Sequence, residues 1–393
     1  MGGNGVEKKK KLLVTGSTFP RWEGDTEPRF VLDLSEALTK YYDVTALVPA
    51  APGAKTEEMM NGVHVVRYHY FPIHKWETLC YPGAIVPRIK EKKVRVLLVP
   101  FLFLSLYIHL AKMLPKFDIV HAHWIIPQGI VESFFKKPYI VTGHGGDVTS
   151  LNKGIMKKLK VRCIKHAGYV TVVSKHLKNE VQSLYPTEKI DVISMGCRTQ
   201  NFGKQFAVPD YFHQSDKKVV LFVGRLAEKK GVTYLIEAMK QIDAKLVIVG
   251  DGPLRESLEQ QAKDQGDKIV FLGAKTHDEL KIIYASADVF VAPSVTAKDG
   301  DQEGFGLVML EAMASGLPIV ASNSGGIPDL IHDGENGYLA EEKDVRGLAE
   351  KINILLTDPD VNKHIKEGVR KTVDQYDYRI IAQKYAKILE ALS

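Results

Sequence analysis

The chain reads as an α/β protein built of two tandem, doubly wound, Rossmann-like domains facing across a cleft. Three observations lead there. Its 393 residues suit two domains at the usual ~100–200 residues each. Short β-rich runs alternate with helical patterns along nearly the whole length, as in parallel sheets made of βαβ units. The alternation lapses once, from Met195 to Asp216 through Asn201, Gly203, Pro209 and Asp210, as an interdomain linker would.

In the first half, strands are expected at Lys11–Thr18, Asp43–Pro49, Val63–Tyr70, Phe117–His123, Tyr139–Thr142, Tyr169–Ser174 and Ile190–Ser194. Helical patterns lie at Arg29–Lys40, Val94–Lys112, Ile155–His166 and Lys175–Leu184. The second series opens with strand Val219–Val223, helix Val232–Ile242, strand Lys245–Val249, helix Leu254–Lys263 and strand Ile269–Leu272. It continues with helix Asp278–Ala285, strand Val289–Ala292, helix Phe305–Ala314 and strand Pro318–Ala321, and a last helix is expected at Arg379–Leu392. Unbroken apolar cores such as Leu246-Val247-Ile248-Val249 fit strands covered on both faces. In such sheets ligands bind beyond the carboxyl ends of the strands, so the loops that follow strands are the places to look for chemistry.

Apolar residues make up 45% and charged residues 25%, which excludes collagen-like, low-complexity and disulfide-scaffold classes. The net charge of +6 is uneven: residues 1–208 carry 30 Lys and Arg against 17 Asp and Glu, and residues 209–393 carry 23 against 30. A basic half suits an anionic partner, although lysines that merely solvate helices give the same count. Cys80, Cys163 and Cys197 are too few and too scattered for a disulfide framework or a cysteine zinc site, as in a reducing compartment. Lys8–Lys11 precede only Leu12, Leu13 and Val14, which makes no signal-peptide core. Val6 stands where a myristoylation pattern needs Ser or Thr. The longest apolar stretch, Val96–Leu110, is shorter than the ~18 residues of a span and is interrupted by Pro100 and His109. It is expected to be a buried core helix of a cytoplasmic protein.

The strongest site signal is residues 299–316. Glu303 precedes Gly304-Phe305-Gly306, and Glu311 follows in the second turn of a mostly apolar helix. The glycines let backbone N–H groups approach a ligand, the helix start favours phosphate, and a carboxylate ahead of it can accept from sugar hydroxyls. The bland reading is that Glu303 caps the helix and Glu311 lies on the surface; against it, a charge among Leu310, Ala312 and Met313 is costly. A second constellation, Gly224-Arg225-Leu226-Ala227-Glu228-Lys229-Lys230-Gly231, follows a buried-type strand and offers two cations to a phosphate without being a Walker loop; a solvated basic turn would look the same. The third is a strand ending in Thr142-Gly143-His144-Gly145-Gly146-Asp147. His121 and His123 leave a zinc reading with His144 open, against which stand the missing helical H-x-x-x-H and the lack of an assured fourth ligand. The long connection Thr18–Asp25 holds Gly24 near a helix start. Gly250-Asp251-Gly252 lacks the full G-x-G-x-x-G, so a nicotinamide site has little support.

Taken together, Phe19-Pro20…Gly24, Phe117–Trp124, Gly143–Asp147, Gly224-Arg225-Leu226…Lys230-Gly231 and Glu303-Gly304-Phe305-Gly306…Glu311 resemble family 4 of the retaining glycosyltransferases, nucleotide-sugar-dependent enzymes of GT-B fold. Gly325-Gly326-Ile327-Pro328-Asp329 extends the likeness, with Asp329 where the family often has Glu. The resemblance implies that Arg225 and Lys230 neutralise the donor diphosphate and that Glu311 holds the ribose. It implies that Glu303, with the backbone of Gly304, Phe305 and Gly306, holds the transferred sugar, while the N–H of Leu307 binds phosphate. Gly24 would let its loop close over the diphosphate, and His144 would contact the sugar near its reacting carbon. No metal or other cofactor is expected.

The domains implied are 1–205 on the acceptor side, 206–376 on the donor side, and a helix at 377–393 returning to the first domain. The expected function is retaining transfer of a hexose-type sugar from a nucleoside diphosphate to a hydroxyl acceptor. The acceptor expected from the basic half is an anionic lipid-linked or polysaccharide precursor, with peripheral contact to the cytoplasmic face of an anionic membrane through Lys90, Lys92, Lys93, Arg95 and the lysines at 153–160. Nucleic acid is not expected as a partner. A GT-B nucleotide-sugar epimerase and a non-catalytic nucleotide-binding regulator are the rival readings; a glycosylated product excludes both.

Overall fold

The computed structural model describes residues 9–25, 27–212 and 217–393. The expectations that fall on Met1–Lys8, and the end of the linker at Asp216, lie outside the described residues. Two compact units divide the chain: Met1–Val172 with Lys178–Ile193 and Ile381–Ser393, and Val173–Leu177 with Ser194–Ile380. The main division thus falls at Ile193–Ser194 rather than after residue 205. Lys204 explains part of this, since its ammonium donates to the carbonyls of Ala285 and Ala287 in the second unit, each at 2.9 Å.

The first unit holds eight strands among the described residues: β1 (Lys11–Thr15), β2 (Asp43–Pro49), β3 (Glu57–Met60), β4 (Val63–Tyr68), β5 (Ile119–His123), β6 (Tyr139–Gly143), β7 (Tyr169–Val172) and β8 (Ile190–Val192). They pair in the order β3-β4-β2-β1-β5-β6-β7-β8, all parallel except that β3 runs against β4. Runs expected to reach Thr18, Tyr70, Ser174 and Ser194 leave the sheet two or three residues early. They do so without becoming exposed, since Thr18 and Ser174 are buried, so the apolar pattern outlasts the ladder. The last helix, Tyr378–Glu390, carries Tyr385 beneath this sheet. That ring is fully buried, stacks on His121 at 4.9 Å, and brings its hydroxyl to Thr171 Oγ1 at 3.3 Å.

The second unit holds β9 (Val219–Val223), β10 (Lys245–Val249), β11 (Ile269–Gly273), β12 (Val289–Ala292), β13 (Ile319–Ser322) and β14 (Tyr338–Ala340). Their order is β11-β10-β9-β12-β13-β14, all parallel. Leu246, Val247 and Ile248 are fully buried, at about 1.5–3 kcal/mol of hydrophobic stabilisation per side chain. β14 and the helices Val345–Thr357 and Pro359–Val373 add to what the pattern assigned.

The apolar stretch at 96–110 corrects the expectation of a buried helix. Lys93–Leu98 forms 3-10 turns that run into an α-helix at Val99–Met113. Only Leu102, Leu106 and Leu110 of that α-helix are buried, a single stripe at four-residue steps. Two residues counted among the exposed cations are also placed differently. Arg95 is buried and paired with Glu91 at 3.1 Å. Lys160 is fully buried, its ammonium donating to Val148 O at 2.6 Å and Ser150 O at 2.9 Å, so it staples a loop instead of solvating a helix.

Candidate functional site

In the second sheet the strand order reverses between β9 and β12, and such a switch point opens a crevice beyond the carboxyl ends of the two strands. The loop leaving β9 carries Gly224–Gly231, and the loop leaving β12 carries Pro293–Gly306. Their backbones touch: Val295 N–H donates to Lys229 O at 2.8 Å, and a Cβ on Gly231 would lie 1.8 Å from Pro293 O. Only glycine allows this approach, which brings the basic loop onto the acidic one.

The side chains meet accordingly. The Lys230 ammonium donates to Glu303 Oε2, and Lys229 lies 3.1 Å from Asp301. Burial would raise the Glu303 carboxyl, but Lys230, Lys229 and the Gly304 N–H outweigh it and hold it at about 2. Glu303 is therefore an anion throughout the neutral range, an acceptor for hydroxyls and no proton donor. Arg225 projects from the same loop and is exposed. The helix after Glu303 begins at Leu307, two residues later than expected, because Gly306 at φ +82° serves as its N-cap. Phe305 thus precedes the helix and is buried, its ring 5.5 Å from that of Tyr376. The N–H of Leu307, the first residue of the helix, precedes the first intrahelical hydrogen bond, and such groups favour an anion.

Glu311 sits one turn further on, in Leu307–Ala314. It is neither a cap nor a solvated surface charge, since the buried Tyr284 hydroxyl donates to its Oε2 at 2.9 Å. Glu342 ties the turns together from below: it accepts from Thr296 N at 2.9 Å, Thr296 Oγ1 at 2.8 Å and Ser324 Oγ at 2.5 Å. Gln302, next to Glu303, donates to the same Thr296 hydroxyl at 2.8 Å. Tyr284, Lys229 and Glu342 escape sequence reasoning. Lys229 alone left a signal, as a neighbour within the basic loop.

The remaining predicted residues belong to the first unit, whose order reverses between β1 and β5. Gly24, at φ +79°, stands at the exposed tip of the loop after β1, which Arg21 and Asp25 close with a 2.6 Å ion pair. His144 follows β6. Its Nε2 lies 3.0 Å from His123 Nδ1, and its ring packs on Trp124 at 4.8 Å and Phe30 at 5.1 Å. Trp124 has φ +73°, a costly conformation for a bulky side chain and one that clusters at functional positions. Asp147 accepts from the backbone N–H groups of Ile125 at 2.8 Å, His144 at 3.0 Å and Gly145 at 2.9 Å, which fixes the turn that presents His144. His121 turns its Nε2 to Thr142 Oγ1 at 2.8 Å. Among the described residues no cluster of three His, Cys, Asp or Glu side chains is arranged to hold a metal ion.

Burial lowers His121 and His144 to about 3 and holds His123 well below the usual imidazole range, so all three rings are neutral and His144 can exchange hydrogen bonds but carries no charge. The unfolded chain takes up these protons near pH ~6.5 while the folded chain refuses them. Stability is therefore complete above that pH and falls as pH drops toward 3, by up to about 1.4 kcal/mol per pH unit for each ring. Urea midpoints measured from pH 7 to pH ~4 should fall less steeply for His121→Asn than for the native chain. Parallel slopes would refute the assignment.

Residues 204–372 match the model of glycosyl transferases group 1, and residues 28–201 match that of glycosyltransferase family 4. An uncharacterised glycosyltransferase of Methanocaldococcus jannaschii is 33% identical over 356 residues, covering 84% of this chain and 85% of the relative. The chain belongs to glycosyltransferase family 4. This family-4 chain is also 28% identical to the N-acetyl-α-D-glucosaminyl L-malate synthase of Bacillus anthracis, over 78% of its own length and 84% of that protein. Among solved structures, the sucrose-phosphate synthase of Thermosynechococcus elongatus superposes with a TM-score of 0.78 at 23% identity, covering 98% of this chain and 99% of the other. The Anabaena protein HepE, in complex with UDP and glucose, superposes at 0.73 with 20% identity, covering 98% and 100%. The family-4 chain therefore has the GT-B fold, two Rossmann-like α/β domains with parallel sheets.

Proposed function

We propose that this family-4 glycosyltransferase moves a hexose-type sugar, with retention, from a nucleoside diphosphate to the hydroxyl of an acceptor. The observation that carries the reading is the meeting of Lys230, Glu303 and the Leu307 helix start at the switch point of the second sheet, with Arg225 in the same loop. A nucleotide-sugar donor is further supported by the UDP-glucose found bound to Anabaena HepE. As the bond from the sugar carbon to the diphosphate breaks, negative charge grows on the departing oxygen. Arg225, Lys230 and the helix N–H groups stabilise it there. The ionised Glu303 and the backbone of Gly304, Phe305 and Gly306 hold the sugar hydroxyls, and Glu311, steadied by Tyr284, holds the ribose. Gly24 serves the diphosphate, and the neutral His144 hydrogen-bonds the sugar near its reacting carbon. The acceptor hydroxyl forms the new bond on the face the diphosphate leaves, and the diphosphate oxygen collects its proton. The acceptor class is an anionic lipid-linked or polysaccharide precursor, met by the basic first unit at the cytoplasmic face of a membrane.

The test is a screen of nucleotide sugars. The true donor at ~100 times its dissociation constant should stabilise the chain by about 2.7 kcal/mol, and the anomeric configuration of the glycoside formed should match that of the donor. Inverted product would reject retention, and free epimerised nucleotide sugar would reject transfer. The two cations and the helix start take the charge that a divalent ion takes elsewhere, so activity should persist in excess EDTA. Loss that Mg²⁺ or Mn²⁺ restores would reject that part.

A further inference from the structure

The helical stretch Lys93–Lys116 is 24 residues long and apolar enough to cross a bilayer, yet only 28% of its apolar window is buried. A core helix would be covered, and a lone helix crossing the bilayer would have no protein packed along one side. This helix is fastened. Leu102, Leu106 and Leu110 are buried, Ser105 Oγ donates to His69 O at 2.7 Å, and Tyr107 stacks on Phe135 at 4.8 Å. The opposite side, Leu97-Phe101-Leu104-Ile108, repeats at helical spacing and is exposed to 66, 43, 58 and 40%. Phe101 packs edge-on to Phe71 at 4.8 Å, and Phe71 stacks on Trp76 at 5.9 Å. The apolar face therefore continues from the helix onto Trp76, itself 53% exposed.

We infer that this face inserts into the interfacial layer of an anionic lipid bilayer, with the helix lying in the membrane plane. Charge complementarity selects the occupant. From Lys92 to Phe117 there is no Asp or Glu, whereas Lys92, Lys93, Lys112 and Lys116 are exposed at the two ends of the apolar stripe. A stripe of large apolar side chains with cations at its ends matches acyl chains beneath anionic headgroups. The inference rests on the proposed lipid-linked acceptor for its purpose but not for its test. It also changes the mode of attachment, because lysines alone would bind reversibly within a Debye length, whereas inserted side chains are not screened by salt.

The experiment is cosedimentation of the full chain, without nucleotide, on vesicles of phosphatidylcholine with about 30% phosphatidylglycerol. Binding should largely persist through ~0.5 M NaCl. Brominated acyl chains should quench part of the tryptophan emission, and Trp76→Phe should abolish that quenching. Phe101→Ser with Leu104→Ser should lower the partition coefficient about tenfold or more at any salt. Lys92→Glu with Lys93→Glu should weaken binding chiefly at low salt. Circular dichroism and calorimetric affinity for UDP should be native-like in these surface variants. Failure to sediment, or release by ~0.5 M NaCl, would overturn insertion. A concentration-dependent dimer in the absence of lipid, abolished by the same serines, would overturn it in favour of a second copy of the chain. Failure of uridine, guanosine, adenosine and thymidine diphosphates alike to bind the native chain would instead reject the donor site and leave the vesicle result untouched.

Discussion

Lys230→Ala should lower kcat by about 10²–10³-fold, the usual loss on removing one preorganised group from a developing charge. Arg225→Ala, at an exposed position in the same loop, should act in the same direction. The Lys230 variant has a second signature. Lys230 is the main influence holding the Glu303 carboxyl at about 2 against burial. Without it, only Lys229 and the Gly304 N–H oppose desolvation, and the carboxyl titrates upward. The residual activity of Lys230→Ala should therefore fall as the solution is acidified through the ordinary carboxylate range, whereas Arg225→Ala keeps the native profile on that limb. Steady-state rates of both variants over pH ~4–8 check this. Near-native turnover in Lys230→Ala would remove it from the leaving-group site.

The two glutamates should divide donor recognition between them. Glu311→Ala should weaken the free nucleoside diphosphate and the intact donor alike. The loss should be about 10–100-fold, corresponding to ~1.5–3 kcal/mol for a hydrogen bond to a charged group. Tyr284→Phe should give a milder form of the same defect, because it removes one hydrogen bond that steadies the carboxylate and leaves the carboxylate in place. Glu303→Ala should leave diphosphate affinity intact, since the Lys230 ammonium loses its protein partner and remains available to phosphate. Turnover in that variant should nevertheless fall about 10²-fold or more, as the sugar is no longer held. Titration calorimetry with nucleoside diphosphate separates the two variants. Equal losses in both would reject the division.

Much of this was legible because apolar runs bounded by polar residues mark strands covered on both faces. β2, β9, β10 and β12 begin and end where the sequence places them. β3 could not be read, since Glu57-Glu58-Met59-Met60 pairs only along one edge and buries a single side chain. The spacing of Glu303 and Glu311 was visible because it is local. Tyr284 and Glu342 lie 27 and 46 residues from the Glu311 and Thr296 groups they bond, and nothing in their own neighbourhoods marks them. Hydropathy misread 96–110 for a physical reason: it measures how much a segment prefers an apolar surrounding, not what supplies it. The same limit applies to charge, as the buried Arg95 and Lys160 show.

The turn proposed to hold the sugar, at 303–306, is braced from behind. A Cβ on Gly325 would lie 2.3 Å from Glu303 O, and one on Gly326 would lie 1.9 Å from Gly304 O, so two stretches of main chain rest directly on each other. Gly326 N–H also donates to Glu303 O at 2.9 Å. An engineer seeking a bulkier donor cannot gain room by letting this turn recede. A useful library would hold 303–306 and 325–326 constant and diversify the side chains beside them, beginning with Gln302.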